Sequence, residues 1–213
     1  LPFVCNSRVN LMDEETARLF AEAGCRVVCM GIESGNSRLR REVLNRPMRE
    51  DQIIKAFRLC RERGMKTVST NMTGLPEEGV AELLDTIKLN ARARPDCMQV
   101  SVFHPYPHTR LYQVCREKGL LSGRHVDTIF DGRSALDDPR FEEPAWRLAQ
   151  RNFYPAVELY SRLYDLGRAG ELAARGLDRL FEGGGASWPL REKLLERLLG
   201  WAERRQRFQW INY

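Results

Sequence analysis

The sequence lacks any long apolar run. No stretch approaches the ~20 consecutive apolar residues of a bilayer-spanning helix, and mean hydropathy is −0.47, so no membrane span is expected. It also lacks a block of like charge. Residues 1–120 hold 19 basic and 15 acidic side chains, residues 121–213 hold 15 and 14, and the formal charge is +5. Counterion release on nucleic acid needs clustered cations. With the signs interleaved, a mixed solvated surface is expected instead of a nucleic-acid groove. Histidine is scarce. His104, His108 and His125 are the only three, and none stands at ligand spacing from a carboxylate or a cysteine. No CxxC pair occurs among the six cysteines, and a disulfide framework or zinc site has no support in their spacing. Cys5 and Cys29 fall in strand-like runs, Cys60 and Cys115 in helix-like ones, which fits core thiols of a reducing, cytoplasmic compartment. Cys25 and Cys29 are spaced CxxxC. Simple alternation would put both on one face of a strand, with a buried strand expected ahead of a metal site.

What is present is an alternation of two periods. Phe3-Val4-Cys5, Arg26 to Ile32, Thr67 to Met72 and Met98 to Phe103 are short apolar or β-branched runs of strand length. Between them, helical spacing recurs. Leu11, Leu19 and Phe20 precede Gly24; Ile53, Ile54, Phe57 and Leu59 precede Gly64; Val80, Leu83, Leu84 and Ile87 precede Pro95. A further helix is expected near Leu111–Lys118. Strand and helix in turn imply parallel strands joined by right-handed crossovers, an α/β fold whose ligands gather at the carboxyl ends of the strands. Residues 122–144 carry turn signals, and 145–213 read as helical. There Trp146, Leu148, Phe153, Val157, Tyr160, Leu163 and Tyr164 could share one long apolar face. Gly183-Gly184-Gly185 reads as a break before a last amphipathic helix. The aromatic end Phe208 to Tyr213 is expected to pack as core or meet a partner, and the C-terminal helices to offer a partner or self-association surface.

Three stretches at those strand ends resemble one family. Gly24-Cys25-Arg26 through Gly31-Ile32-Glu33-Ser34-Gly35 to Val43-Leu44-Asn45-Arg46 is similar to an "aGc…v.iGiEsg…vL.r" pattern. Asn71-Met72-Thr73-Gly74-Leu75-Pro76-Glu77-Glu78 is similar to "iiGlPgEt", and Pro105-Tyr106-Pro107-His108-Thr109 to "PyPgT". These patterns belong to radical S-adenosylmethionine (SAM) enzymes of the Elongator/MiaB/NifB-type core, a group with many cobalamin-dependent members. The resemblance covers about residues 1–121. It implies the third to sixth strands of a partial (βα)6 barrel, a helical extension, and SAM laid across the strand ends.

On that resemblance Glu33 and Ser34 stand near the SAM ribose or amino group, and Arg46 near its carboxylate. Gly74, Pro76 and Glu77 approach the adenine, with Phe103 and Pro105 beside it. Ser7, Arg8 and Asn71 would face the same cavity. A zwitterion wants a cation for its carboxylate and an acceptor for its ammonium, which suits an Arg and a Glu. Two departures bear on activity. The family's CxxxCxxC loop, which holds a 4Fe–4S cluster, is not found in this sequence, and Cys25 with Cys29 does not replace it. His108 stands where the family has Gly. A chain that opens on Leu1 inside a strand-like run reads as the later part of a barrel. Cluster, SAM cleavage and radical initiation would then depend on residues upstream, and the substrate is unnamed by any motif. Two other readings share the same strand ends: a cluster-free α/β ligand-binding enzyme, and a non-catalytic module that docks a partner through its helical tail.

Overall fold

The computed structural model describes residues 1–124, 129, 134–183 and 187–204. His125, Gly184, Gly185 and the aromatic end Phe208 to Tyr213 lie outside the described residues. Four strands, β1 (Phe3–Ser7), β2 (Cys25–Glu33), β3 (Lys66–Thr73) and β4 (Cys97–Val102), form one sheet in the order β1-β2-β3-β4. Every neighbouring pair is parallel. The crossovers are α1 (Glu14–Glu22), α2 (Glu50–Glu62) and α3 (Val80–Ala93), and α4 (Arg110–Glu117) follows β4. The expected α/β alternation is thus the observed one. Among the described residues no helix is long and apolar enough to cross a membrane.

Alternation along β2 shows how the sheet is loaded. Val28, Met30 and Ile32 are buried in a core with Ile53, Phe57 and Cys60 of α2. Cys29, Gly31 and Glu33, between them, are only half-buried. One face is therefore sealed by helices, and the other is a more polar, partly open surface. Cys25 departs from the alternation. The register steps from Phe3↔Cys25 to Val4↔Val27, so an extra residue is accommodated there. Cys25 turns into the helix-side core with Val28, while Cys29 lies outside that core. The two cysteines do not share a face, and the alternation expected from their spacing fails at this irregularity. Cys25 Sγ instead lies 3.6 Å from Cys5 Sγ.

Beyond β4 the chain is helical: α5 (Pro144–Arg151), α6 (Phe153–Asp165), α7 (Gly167–Glu182) and α8 (Trp188–Glu203). The apolar face anticipated over Trp146 to Tyr164 is divided at Asn152. Pro155 in the first turn of α6 has no N–H to give and would crowd the carbonyl of Arg151, so α5 cannot run on through it. Leu83, Leu84 and Ile87 of α3 share one core with Trp146, Phe153, Val157 and Tyr160. The stretch read as loop also contributes: Ala135, Leu136 and Phe141 are buried, and Leu121 bridges Leu136.

The loop from β2 to α2 is pressed against α3. A Cβ on Gly35 would lie 2.0 Å from the Asp85 carbonyl oxygen, and the Gly35 N–H donates to Thr86 Oγ1 at 2.8 Å. By contrast Gly176, on the exposed side of α7, has open space around it. Gly35→Ala is therefore expected to cost about 1–3 kcal/mol by overpacking. Gly176→Ala should gain about 0.5–1 kcal/mol by lowering the chain entropy lost in the helix. Urea unfolding of the two variants beside the parent checks both signs.

Candidate functional site

The carboxyl ends of all four strands lie along one edge of the sheet, and that is where the backbone is strained. Five described non-glycine residues have positive φ; Glu33 (63°) ends β2, and Asn45 (52°), Glu77 (69°) and His108 (68°) lie in the segments that follow β2, β3 and β4. Such conformations cost about 1–3 kcal/mol each and persist where surrounding structure imposes them. His108 adopts the left-handed geometry that a Gly would take without strain at the same place in the motif.

Glu33, the last residue of β2, folds back over Gly31. A Cβ on Gly31 would lie 2.2 Å from Glu33 Oε1 and 3.1 Å from Arg46 Nη1. In this arrangement the pair occupies the space a Gly31 side chain would take, and Glu33 Oε1 meets Arg46 Nη1 at 3.1 Å. The Glu33 side chain is 13% exposed and that of Arg46 41%. Burial raises the Glu33 pKa, and the Arg46 charge opposes the rise. A partly buried acid beside an accessible guanidinium can receive an ammonium and a carboxylate from one zwitterion.

The other residues singled out from the sequence take several positions. Ser34 is buried, and its Oγ accepts the Asn36 N–H at 3.2 Å, so it shapes the loop. Glu77 bridges elements: Arg38 of the β2 loop pairs with it at 2.6 Å, and Lys118 beyond α4 pairs with it from the other side. These two cations, Lys118 first, hold its carboxyl below the usual range. Gly74 (φ 74°) and Pro76 are buried in the turn after β3. Pro105 is buried too. Phe103 donates its N–H to the Thr73 carbonyl at 2.8 Å and, with Met72, Ser101, His104 and Tyr106, lines a cavity of about 430 Å³ at the ends of β3 and β4.

Asn71 is placed differently from expectation. Its side chain does not turn to a cavity shared with Ser7 and Arg8. Asn71 Oδ1 accepts from Asn90 of α3 at 2.7 Å, and its Nδ2 donates to Ser69 Oγ at 3.1 Å. Asn71 is 1% exposed; on the helix-facing side of β3 its amide is satisfied by α3. The sequence reading also passed over Glu78. This side chain is fully buried, and its Oε2 accepts the Gly74 N–H at 2.5 Å. The signal was there, since the motif carries a second glutamate after Pro76. Glu78 Oε1 and Trp146 Nε1 both lack a partner in hydrogen-bond geometry, though the indole lies near enough to favour the charged carboxylate.

Residues 2–89 match the family model of the Radical SAM superfamily, the family that the motifs resemble. Over 121 residues the chain is 31% identical to an uncharacterized methyltransferase of Pyrococcus horikoshii, covering 57% of this chain and 26% of that protein. It is 29% identical over 115 residues to the anaerobic magnesium-protoporphyrin IX monomethyl ester cyclase of Rubrivivax gelatinosus, covering 53% and 20%. Among solved structures, the radical SAM methyltransferase TsrM of Kitasatospora setae superposes with a TM-score of 0.51 at 24% identity, over 55% of this chain and 22% of that one. Coproporphyrinogen III oxidase (HemN) of Escherichia coli gives 0.50 at 20% identity, over 70% and 32%. The fold is therefore that of the radical SAM partial barrel. The chain spans about a quarter of the length of these curated relatives.

Burial pushes the Glu78 carboxyl up to about 8, and the backbone N–H groups of Gly74 and Leu75 oppose the shift. Between its ordinary value of 4.5 and about 8 the folded chain holds a proton that the unfolded chain has released. Glu78 thus favours folding most below the lower value, and this contribution is lost as pH rises through the upper one. The urea midpoint should fall between about pH 5 and about pH 9, and Glu78→Gln should flatten that fall. Parallel midpoint curves for the two proteins would show that Glu78 does not titrate in this window.

Proposed function

We propose that this chain supplies the SAM-binding strand ends of a radical SAM enzyme. The observation that carries the reading is the Glu33–Arg46 pair, folded over Gly31 at the carboxyl end of a parallel strand. Glu33 would accept from the ammonium of the methionyl end, and Arg46 would donate to its carboxylate. The cavity beside Met72 and Phe103 would take the adenine against apolar walls. The residues present thus fit SAM. They do not fit an iron–sulfur cluster: among the described residues no group of three or more His, Cys, Asp or Glu could hold a metal. The cluster is assigned to no residue of this chain.

Bound SAM, on reduction by a 4Fe–4S cluster, supplies the 5′-deoxyadenosyl group with which such enzymes begin radical chemistry. The part played here by the chain's own residues is to bind and orient. Arg38, Glu77 and Lys118 tie the loop after β2, the turn after β3 and the end of α4 into one frame, so the groups that meet each end of the ligand keep their spacing. The reaction class is proposed at the level of SAM-dependent radical chemistry. The methyltransferase and cyclase relatives and the cobalamin in the TsrM structure support that breadth and do not narrow it to one substrate.

Calorimetric titration of SAM into the chain tests the reading. Arg46→Gln and Glu33→Gln are each expected to weaken binding about tenfold or more, the scale of one lost charge-assisted hydrogen bond. An exposed control, Arg63→Gln, should leave it unchanged. Equal affinity in all four proteins would sink the assignment.

A further inference from the structure

The outer face of α8 is apolar where a solvated helix is polar. Leu190 is 64% exposed, Leu194 45% and Trp201 38%. Their spacing of four and seven residues sets them in one stripe along the helix. The inner face is a separate one: Leu195, Leu199 and Ala202 are buried in the core shared with α6 and α7. So α8 has two apolar sides, and packing accounts for only one of them. An exposed apolar strip edged by charge marks an interaction surface.

The charges beside the stripe all have one sign. Lys193, Arg197 and Arg204 are exposed and fall on one flank of it at helical spacing. Among the described residues none of the three is in ion-pair contact with a carboxylate. The carboxylates of the helix, Glu192, Glu196 and Glu203, lie on the far side from the stripe. The Arg162 guanidinium of α6 stands over the Trp201 ring, 5.5 Å from its centroid, and this contact orients the indole at the end of the stripe.

We infer that this face of α8 lies on an anionic membrane surface, with Leu190, Leu194 and Trp201 in the headgroup boundary and Lys193, Arg197 and Arg204 on lipid phosphates. The occupant must be both apolar and negatively charged, since the stripe is apolar and its flank is uniformly cationic. Leucine and tryptophan beside lysine and arginine is the composition of a helix that lies in the interface. No described helix is long and apolar enough to cross, so the association is with the surface. A second copy of the chain is opposed by charge. Two such stripes meeting about a two-fold axis would set each cationic flank against its own equivalent. A helix from an acidic protein docks into an apolar groove, whereas this stripe is a ridge on a single helix. The proposal does not rest on the SAM reading.

The test is sedimentation with vesicles of phosphatidylcholine alone and of an equal mixture of phosphatidylcholine and phosphatidylglycerol. The proteins are the parent chain, Leu194→Gln, Arg197→Gln and a control away from α8, Arg63→Gln. All three substituted positions are exposed, so the fold should survive, and urea midpoints verify that it does. The parent and Arg63→Gln should partition onto the anionic vesicles and not onto the neutral ones. Arg197→Gln should weaken partitioning about fivefold, the share of one cation near an anionic surface. Leu194→Gln should weaken it about tenfold or more through the lost apolar burial, and added salt should weaken it for every protein. No partitioning of the parent onto anionic vesicles, equal partitioning onto both kinds, or undiminished partitioning of either α8 variant overturns the proposal. Absence of vesicle binding with saturable binding of a synthetic helical Leu/Glu peptide also overturns it, and assigns the face to an acidic protein partner.

Discussion

The backbone of Gly35 rests on the Asp85 carbonyl of α3, and the candidate site depends on that contact. It holds the loop after β2 against a helix that is itself fixed from two sides. Toward the sheet, α3 offers Asn90 and Thr86. Asn90 bonds to Asn71 and Ser69 of β3, and Thr86 accepts the Gly35 N–H. Toward the C-terminal helices it offers Leu83, Leu84 and Ile87. A buried polar network of this kind specifies one arrangement, because each half-made alternative leaves an amide or hydroxyl unpaired. With α3 fixed, the loop is fixed, and so is the distance from β2 to the turn after β3.

This rigidity accounts for the strain at the strand ends. Glu33, Glu77 and His108 adopt a conformation that L side chains avoid, and each is held by its surroundings. Glu33 is paired with Arg46 over Gly31. Glu77 is gripped from both sides by Arg38 and Lys118. Exposed ion pairs contribute little singly. Here two of them converge on one carboxylate and join three loops, so their value lies in geometry more than in stability.

The order of elements was legible in the sequence because period, breakers and length agreed: the run 67–72 became Lys66–Thr73, and Pro95 ended α3. The motif residues were legible as a group because they all fall after strands. Individual orientations were not. Alternation tells that Asn71 and Met72 face opposite ways. It does not tell which side α3 covers, since an asparagine suits either face when a partner is present. Cys25 was misplaced because one irregular pairing between β1 and β2 breaks the two-residue period. The division between α5 and α6 could have been read from Pro155, whose missing N–H outweighs the apolar periodicity around it.

The adjacent glutamates of the turn after β3 show how far local sequence can reach. Glu77 and Glu78 have the same side chain and the same motif context. One is drawn to two cations and held charged; the other is buried and pushed toward neutrality. What separates them is the left-handed backbone of Glu77 itself, after which Glu78 turns under to accept the Gly74 N–H. The floor it meets comes from far along the chain. Trp146 of α5 lies near its carboxyl, and Phe141 and Ser134 lie within 4 Å of a Cβ built on Gly74. The segment after residue 121 carries no motif of its own, yet it closes the underside of the strand-end turn. A substitution there can therefore reach the ligand side through Gly74 without touching any residue that the motifs identify.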